Sequence, residues 1–445
     1  MYYSKISHKI FLIFGLLFSL RSLAINEILI EGKTKIVRRH SDDKNLAIFE
    51  SKDDITAGDG AKHDIIAGKA MLATATTCNV FRLLEACDIP LAFKKQLDEK
   101  RFLASYCTMI PYEVVVRREA HGSALKRNSV LQKGHLFPKL VVEFFLKTSD
   151  RVWQGALIPK DDPFIRFVEN KAELYLPDAP LESQKPFMVL DNFPLQNQPD
   201  FFEQMSEYAC RSFLALEKAW QLVGGRLVDF KVEFGFDVAG NLLLADVIDN
   251  DSWRVIHGGG YIDKQAYRDG ADLNKVTQLY QSVAELTSQF AIPKQQIIVW
   301  RGSQKDTIDI FLKAFEPFTN CGCQLTTVTL SAHKEPTKCC FMVNKLLKEI
   351  PDSVLLAYIG SSNAAGPMLS AYIPIPVINV PACWQNFSDD IWSSLRTPSN
   401  VLALTMLDPI NALQSALQIL SMRNPCLYSK LRFEQEKRII NIIEL

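Results

Sequence analysis

From Gln296 onward, short apolar runs alternate with helix-like runs: IIVWR, a helix from about Thr307, CQLTTVTL, a helix from about Thr337, VLLAYIG, a helix from about Pro367, IPVINVP, and a helix from about Pro409. Strands that are apolar at consecutive positions must be covered on both faces. Helical crossovers between such strands make them parallel, so this half predicts an α/β, doubly wound sheet. Ligands of such sheets sit at the carboxyl ends of the strands. Three polar clusters fall there: Gly302, Ser303 and Asp306; Ser331, His333 and Lys334; and Ser361, Ser362, Asn363 and Gly366.

The first half reads differently. VDFKVEFGFD alternates polar and apolar positions, Ala239, Gly240 and Asn241 supply a turn, and LLLADVI returns, which predicts a β-hairpin carrying Glu233 and Asp246 on facing arms. Two such carboxylates suit Mg²⁺, which takes one or two acids plus water and phosphate oxygens; read alone, they equally suit a solvated edge hairpin. Near the start, ILIEGKTKIV sets Lys33 and Lys35 beside Gly32 between two strands, a pattern fit for phosphates but without Walker A spacing. SKDDITAGDGAKHD reads as a polar loop leading into a helix from about Gly68 to Cys87. VVVRREAHGSALKRN brings Arg117, Ser123, Lys126 and Arg127 together around a glycine, either as a solvated cluster or as an anion site. The stretch from about Trp153 to Phe201, rich in Pro, Asn, Gln and Asp, reads as a surface excursion. A helix follows, with Phe213, Leu216 and Trp220 on its core stripe, and another runs from about Asn274 to Phe290; residues 292–294 form a linker.

In this order, EGKTK, SKDDITAG, VVVRREAHGSALKRN, VDFKVEFG, LADVIDNDSWR and DKQAYRD resemble the SAICAR synthetases of purine biosynthesis, over about Ile28 to Arg268. The resemblance implies an α+β nucleotide-binding fold over 25–292. It also implies a reaction in which ATP phosphorylates the carboxylate of CAIR and the amine of L-aspartate then displaces phosphate to give SAICAR. By the same resemblance Lys33 and Lys35 would steady the ATP phosphates, with Lys231 close by, and Glu233 and Asp246 would ligate Mg²⁺. Arg117, Ser123, Arg254 and Arg268 would hold CAIR and aspartate. Readings from other classes are a nucleotide-binding protein without turnover, and a ligase or kinase with another acceptor.

Over about 297–421, GSQKD, TLSAHKEP, SSNAAGPMLS, IPVINVP and DIWSSLRTPS resemble the AIR carboxylase domain that is fused to SAICAR synthetase in a bifunctional enzyme. That implies a flavodoxin-like domain over 296–445, homo-oligomer assembly through it, and carboxylation of AIR by CO₂ to CAIR. Ser303 and Asp306 would grip the ribose phosphate. Ser331, Lys334 and Asn363 would orient CO₂ or the new carboxylate, and His333 would shuttle the ring proton. The match departs at Ser361 (an arginine in the family), at Ala364 and Ala365, at Asn400 (a glycine) and at Glu335 (a glycine). The alternative these departures raise is a synthetase whose second domain serves only assembly.

Lys plus Arg and Asp plus Glu number 50 each, so no bulk basic field points to nucleic acid. At 445 residues the chain exceeds a single core. Ten cysteines without zinc-site spacing read as reduced thiols. Residues 1–24 read as a signal-like leader, with a basic start, an apolar run from Ile10 to Leu20, and small Ser22 and Ala24. The substrates nonetheless argue for a cytoplasmic enzyme, with export or membrane targeting as the alternative.

Overall fold

The computed structural model describes residues 27–57, 62–148, 151–402 and 404–441, so the leader lies outside the described residues. A small antiparallel sheet comes first. β1 (Ile28–Glu31), β2 (Lys35–Arg39) and β3 (Leu46–Ser51) are joined by β6 (Phe93–Gln96) and β7 (Arg101–Ser105) in the order β1-β2-β3-β7-β6. At the β1–β2 turn Gly32 N donates to Lys35 O (2.9 Å), and Lys52 N donates to Thr34 O (2.8 Å). These bonds hold the lysine-bearing turn against the strand end. The expected loop before the first helix is instead a hairpin, β4 (Asp54–Ala57) with β5 (Lys62–Ile65). Its inward Ile55 packs with Ile66, Tyr267 and Tyr280, a reward for extended structure that the polar composition conceals. Helix α1 (Lys69–Ala86) follows, as its periodicity predicts.

The second sheet has nine strands. At its centre lie β8 (Thr108–Glu119) and β15 (Gly225–Phe236), flanked by β9 (Leu136–Leu146) on one side and β17 (Trp253–His257) on the other, with β16 (Leu242–Ala245) also pairing β15. A strand's side chains alternate between faces. In β15, Phe230, Val232 and Phe234 therefore enter the core, while Asp229, Lys231 and Glu233 point the other way. The core face is covered by α2 (Pro199–Leu222), whose Met205, Ala209, Phe213, Leu216 and Trp220 are buried. Phe213 meets Phe230 edge to face at 5.4 Å between centroids.

The region read as a surface excursion contributes β12 (Phe164–Val168), β13 (Lys171–Tyr175) and β14 (Met188–Leu190), which extend this sheet beyond β9. Phe164, Ile165, Ala172 and Leu174 are buried there. Strands this short, separated by polar turns, leave little period to detect.

The last part is a five-stranded, all-parallel sheet ordered β20-β19-β21-β22-β23, formed by β19 (Gln295–Arg301), β20 (Cys323–Thr329), β21 (Ser353–Ile359), β22 (Val377–Pro381) and β23 (Leu404–Thr405). Four expected strands are present; the two-residue β23 had no sequence signal. Helices Asp309–Phe315, Pro336–Glu349, Ala365–Tyr372 and α3 (Pro409–Ser421) cover its faces. A final helix, α4 (Pro425–Glu436), leaves this sheet and packs on α2 of the preceding domain. Glu436 accepts from Arg118 Nη2 (2.5 Å) and Leu140 N (2.8 Å), and Ser429 Oγ donates to Arg211 O (2.7 Å). One apolar cluster accordingly runs from Phe213 and Trp220 through Leu427 to Ile297 and Val354. All ten cysteines are free thiols. No helix among the described residues is long and apolar enough to cross a membrane.

Candidate active site

Between the small sheet and the polar face of β8 and β15 lies a cavity of about 550 Å³. Lys33, Lys35, Arg117, Ser123, Lys231, Glu233, Asp246, Arg254 and Arg268 all line it. Of the first-half residues singled out from sequence, these nine reach one space, while Lys126 and Arg127 do not. Glu233 lies opposite Ala245 in the hairpin, so Asp246 begins where β16 ends. Asp246 has φ +64°, a left-handed conformation that turns the chain out of the strand, and its carboxylate pairs with Lys35. Such backbone costs about 1–3 kcal/mol at a non-glycine residue and persists where the surroundings impose it.

Cations surround the two acids. Glu233 pairs with Lys147 and lies 3.6 Å from Lys231, which also pairs with Glu113. Burial alone would raise Glu233, but Lys231, Lys147 and Lys35 outweigh it and hold the carboxyl below its ordinary range. Burial pushes Lys35 down to about 8, against the pull of Glu233 and with Lys147 and Lys231 adding to the fall. Lys33 at the rim is exposed and makes no ion pair among the described residues. The pair Glu233 and Asp246 fits Mg²⁺: a sparse set of two carboxylates leaves positions for water and phosphate oxygens, and the ammonium groups of Lys35 and Lys147, which now balance these acids, would have to turn away to bound phosphates as the ion enters. Among the described residues no group of three or more His, Cys, Asp and Glu forms a metal cluster.

A second cavity of about 450 Å³ shares Lys35, Glu233 and Asp246 with the first but is mostly apolar elsewhere, lined by Leu29, Val37, Ala47, Phe49, Ala92 and Met109, with Lys147, Ser105 and Thr108 at its polar side. Sequence reading missed it, because its walls come from strands far apart in the chain.

Deeper in the polar cavity, charges are arranged in a chain. Arg127 pairs with Glu143, Glu143 with Arg117 (2.6 Å), Arg117 with Asp229 (2.7 Å), and Asp229 with Arg254 (2.6 Å). Arg127, grouped by sequence with the anion-binding candidates, is instead fully buried between the rings of Phe145 and Phe164. Lys126 faces solvent and does not line the cavity. Arg117 Nη2 also donates to Ser123 Oγ (3.2 Å). Gly122, at φ +58°, lies so close to Arg254 that a Cβ there would collide with the guanidinium. Arg268 stands exposed at the rim. Behind it, Asp251 accepts from Tyr280 Oη (2.8 Å) and pairs with Lys264 (3.1 Å). Burial and Asp251 raise Asp249, whereas Lys69 and Lys264 hold Asp251 low against burial.

The second-half residues sit at the carboxyl ends of β19, β20 and β21, as expected. Asp306 is lifted above its usual range by burial, and a Cβ on Gly360 would overlap its carboxylate. Ser303 Oγ accepts from Lys305 N (3.2 Å). His333 and Lys334 are exposed, and Ser331 O accepts from Lys334 N (3.2 Å). Asn363, expected to face CO₂, instead turns inward. Its Nδ2 donates to Asn379 Oδ1 (2.9 Å) and Ser394 Oγ (3.0 Å), and its Oδ1 accepts from Gly366 N (2.9 Å). A buried amide is held by whatever satisfies all its groups, so Asn363 shapes the loop. Asn400 has φ +65°, a conformation asparagine tolerates nearly as glycine does, so this departure keeps the backbone. Arg301, not singled out by sequence, ends β19 beside Asp306; its Nε donates to Thr329 Oγ1 (2.7 Å) and its Nη1 to Asp306 O (3.0 Å).

Comparison with known proteins agrees with this division. Residues 28–287 match the SAICAR synthetase family and residues 296–439 match AIR carboxylase. A Caenorhabditis elegans relative, "Probable multifunctional protein ADE2", is 34% identical over 94% of this chain and 95% of its own length. The Drosophila melanogaster bifunctional phosphoribosylaminoimidazole carboxylase/phosphoribosylaminoimidazole succinocarboxamide synthetase is 34% identical over 95% of each. A Chloroflexus aurantiacus phosphoribosylaminoimidazole-succinocarboxamide synthase is 40% identical over 60% of this chain and 98% of its own. The chain therefore belongs to the SAICAR synthetase family, with an AIR carboxylase domain joined to it in one polypeptide.

Proposed function

We propose that the first domain ligates L-aspartate to CAIR at the expense of ATP, giving SAICAR, and that the second carboxylates AIR with CO₂ to CAIR. The observation that carries the first assignment is the meeting of Glu233 and Asp246 with Lys33 and Lys35 in a polar cavity that continues into an apolar one. The apolar space suits a nucleotide base. The phosphates would then lie over the lysines at the shared wall. Mg²⁺ held by Glu233 and Asp246 would neutralise charge on the transferring phosphoryl group and align it.

A carboxylate resists attack by an amine, and its acyl phosphate does not. Lys33 and Lys35 hold the ATP phosphates in line with the CAIR carboxylate, and Arg254, Arg268 and Ser123 hold the CAIR phosphate and the aspartate carboxylates. Arg117 is already satisfied by Glu143 and Asp229, so it positions Ser123 and, through Asp229, Arg254. Fixing the reactants together makes the encounter effectively unimolecular.

In the second domain Ser303 and Asp306 grip the ribose phosphate, Ser331 and Lys334 orient CO₂, and His333 carries the ring proton. Their exposure in one chain favours a homo-oligomer in which another copy closes the site. Full-length relatives named for both activities support the bifunctional reading over a domain kept for assembly. Dependence on ATP and purine intermediates favours the cytoplasm as its compartment.

Incubation with AIR, bicarbonate, ATP, Mg²⁺ and aspartate, with CAIR and SAICAR followed separately, tests both halves. Both products are expected. SAICAR from supplied CAIR without any CAIR from AIR would leave the second domain an assembly module, and no SAICAR in either case would sink the synthetase reading.

A further inference from the structure

Six carboxylates line the polar cavity: Glu113, Asp162, Asp229, Glu233, Asp246 and Asp251. Five are matched by a cation: Glu113 by Lys231, Asp229 by Arg117 and Arg254, Glu233 by Lys147, Asp246 by Lys35, and Asp251 by Lys264. Asp162 has none among the described residues. It is held all the same. Thr148 N donates to Asp162 Oδ1 (3.0 Å) and Asp162 N donates to Thr148 Oγ1 (3.0 Å), while Asp161 accepts from Thr148 Oγ1 (3.0 Å). Pro163 O then accepts from Leu146 N (3.0 Å), tying the turn to the end of β9. Asp162 itself has φ +49°. A left-handed aspartate fixed by reciprocal bonds, with Oδ2 accepting no hydrogen bond among the described residues, leaves an unneutralised oxygen in the cavity wall.

Amide formation needs such an oxygen. The amine of L-aspartate attacks the acyl carbon of the CAIR acyl phosphate, a C–N bond forms, and the C–O bond to phosphate breaks with its electron pair leaving on phosphate. The nitrogen becomes strongly acidic as it bonds to carbon and must shed a proton. The ion-paired carboxylates are poor acceptors, because a proton on any of them strands a lysine or arginine. We propose that Asp162 is the general base that takes this proton, a role that rests on the synthetase reading above. The proton then passes to solvent or to the departing phosphate. Burial lifts Asp162 to about 6; Glu113 on β8 and the adjacent Asp161 add to the rise, while Lys231 on β15 and the Thr148 N–H oppose it. Efficient bases titrate near the working pH.

The test is Asp162→Asn, which retains the acceptor for Thr148 N and a residue type that tolerates positive φ. SAICAR formation should fall about 10²-fold or more, the range for loss of a general base. The acidic limb of the pH–rate profile near pH 6 should flatten with it. Hydroxylamine, unprotonated at neutral pH, should still trap the acyl phosphate as a CAIR-dependent hydroxamate at close to the wild-type rate, which also reports a folded, ATP-competent domain. Formate should partly restore SAICAR synthesis to Asp162→Ala. Loss of hydroxamate along with SAICAR, or a raised KM for aspartate at unchanged kcat, would overturn the assignment. Failure of the wild type to form either product would overturn the synthetase reading itself, and the base with it.

Discussion

The two domains use charge in opposite ways. In the first, almost every ionic group near the cavity is already matched: Arg127, Glu143, Arg117, Asp229 and Arg254 form one continuous chain, and Lys35 and Lys147 cover Asp246 and Glu233. In the second, His333 and Lys334 stand exposed on a loop, with only the Asp306 carboxylate drawn in against Gly360. A site that must hold several polyanions needs its cations pre-positioned, and partner acids fix them in place before substrate arrives. A site for one phosphate and CO₂ can be assembled from loop ends on a rigid parallel sheet. The first is therefore bound up with folding, and the second is not.

The largest expected effect breaks the first domain's charge chain at its buried end. Arg127→Ala would leave Glu143 short of a partner and empty the space between Phe145 and Phe164, costing about 3–5 kcal/mol in urea unfolding; a loss below about 1 kcal/mol would mean that the chain does not hold the fold. Next comes Glu233→Gln, expected to slow SAICAR formation by about 10²–10³ while leaving AIR-to-CAIR conversion intact. If both products vanished from a folded variant, the two sites would not be separate. His333→Ala sharpens the contrast from the other side: conversion of AIR to CAIR should fall about 10²-fold, with the unfolding midpoint and synthesis from supplied CAIR unchanged.

The last effect is one of pH, spread over several units. Asp263 accepts from Val255 N and Gln265 N (2.7 Å each), and burial lifts it to about 7. Its folded value exceeds the unfolded one of about 4, so the folded state binds the extra proton. Its contribution is therefore complete below about pH 4 and is lost as pH rises through about 7, by up to about 1.4 kcal/mol per unit. Equilibrium unfolding followed from pH 4 to 8 should show this slope, and Asp263→Asn should flatten it.

What was legible in sequence follows the same physics. Lys35 and Glu233 sit on strands, and Lys33 and Asp246 lie in the turns directly beside strand ends, so the elements that bring them together could be read. The parallel sheet was legible because fully buried strands are apolar throughout. Asp162, Glu113 and Lys147 were not: they come from a turn, a strand centre and a strand end, and only the folded sheet brings them to one wall. An Asp-Asp-Pro turn after a long apolar strand was the available hint. Arg127 was misread because a guanidinium paired with a buried acid and flanked by two rings looks, in one dimension, like any basic residue beside a glycine. The hairpin at 54–65 and the strands at 164–190 were missed for want of length.

The last helix gives the fusion a mechanical meaning. Through Glu436, Ser429 and Leu427 the tail of the polypeptide is embedded in its opening half, so a cut at residues 292–294 would not release two independent enzymes. Each fragment would carry a torn surface belonging to the other, and an engineer wishing to part the activities must first redesign that seam.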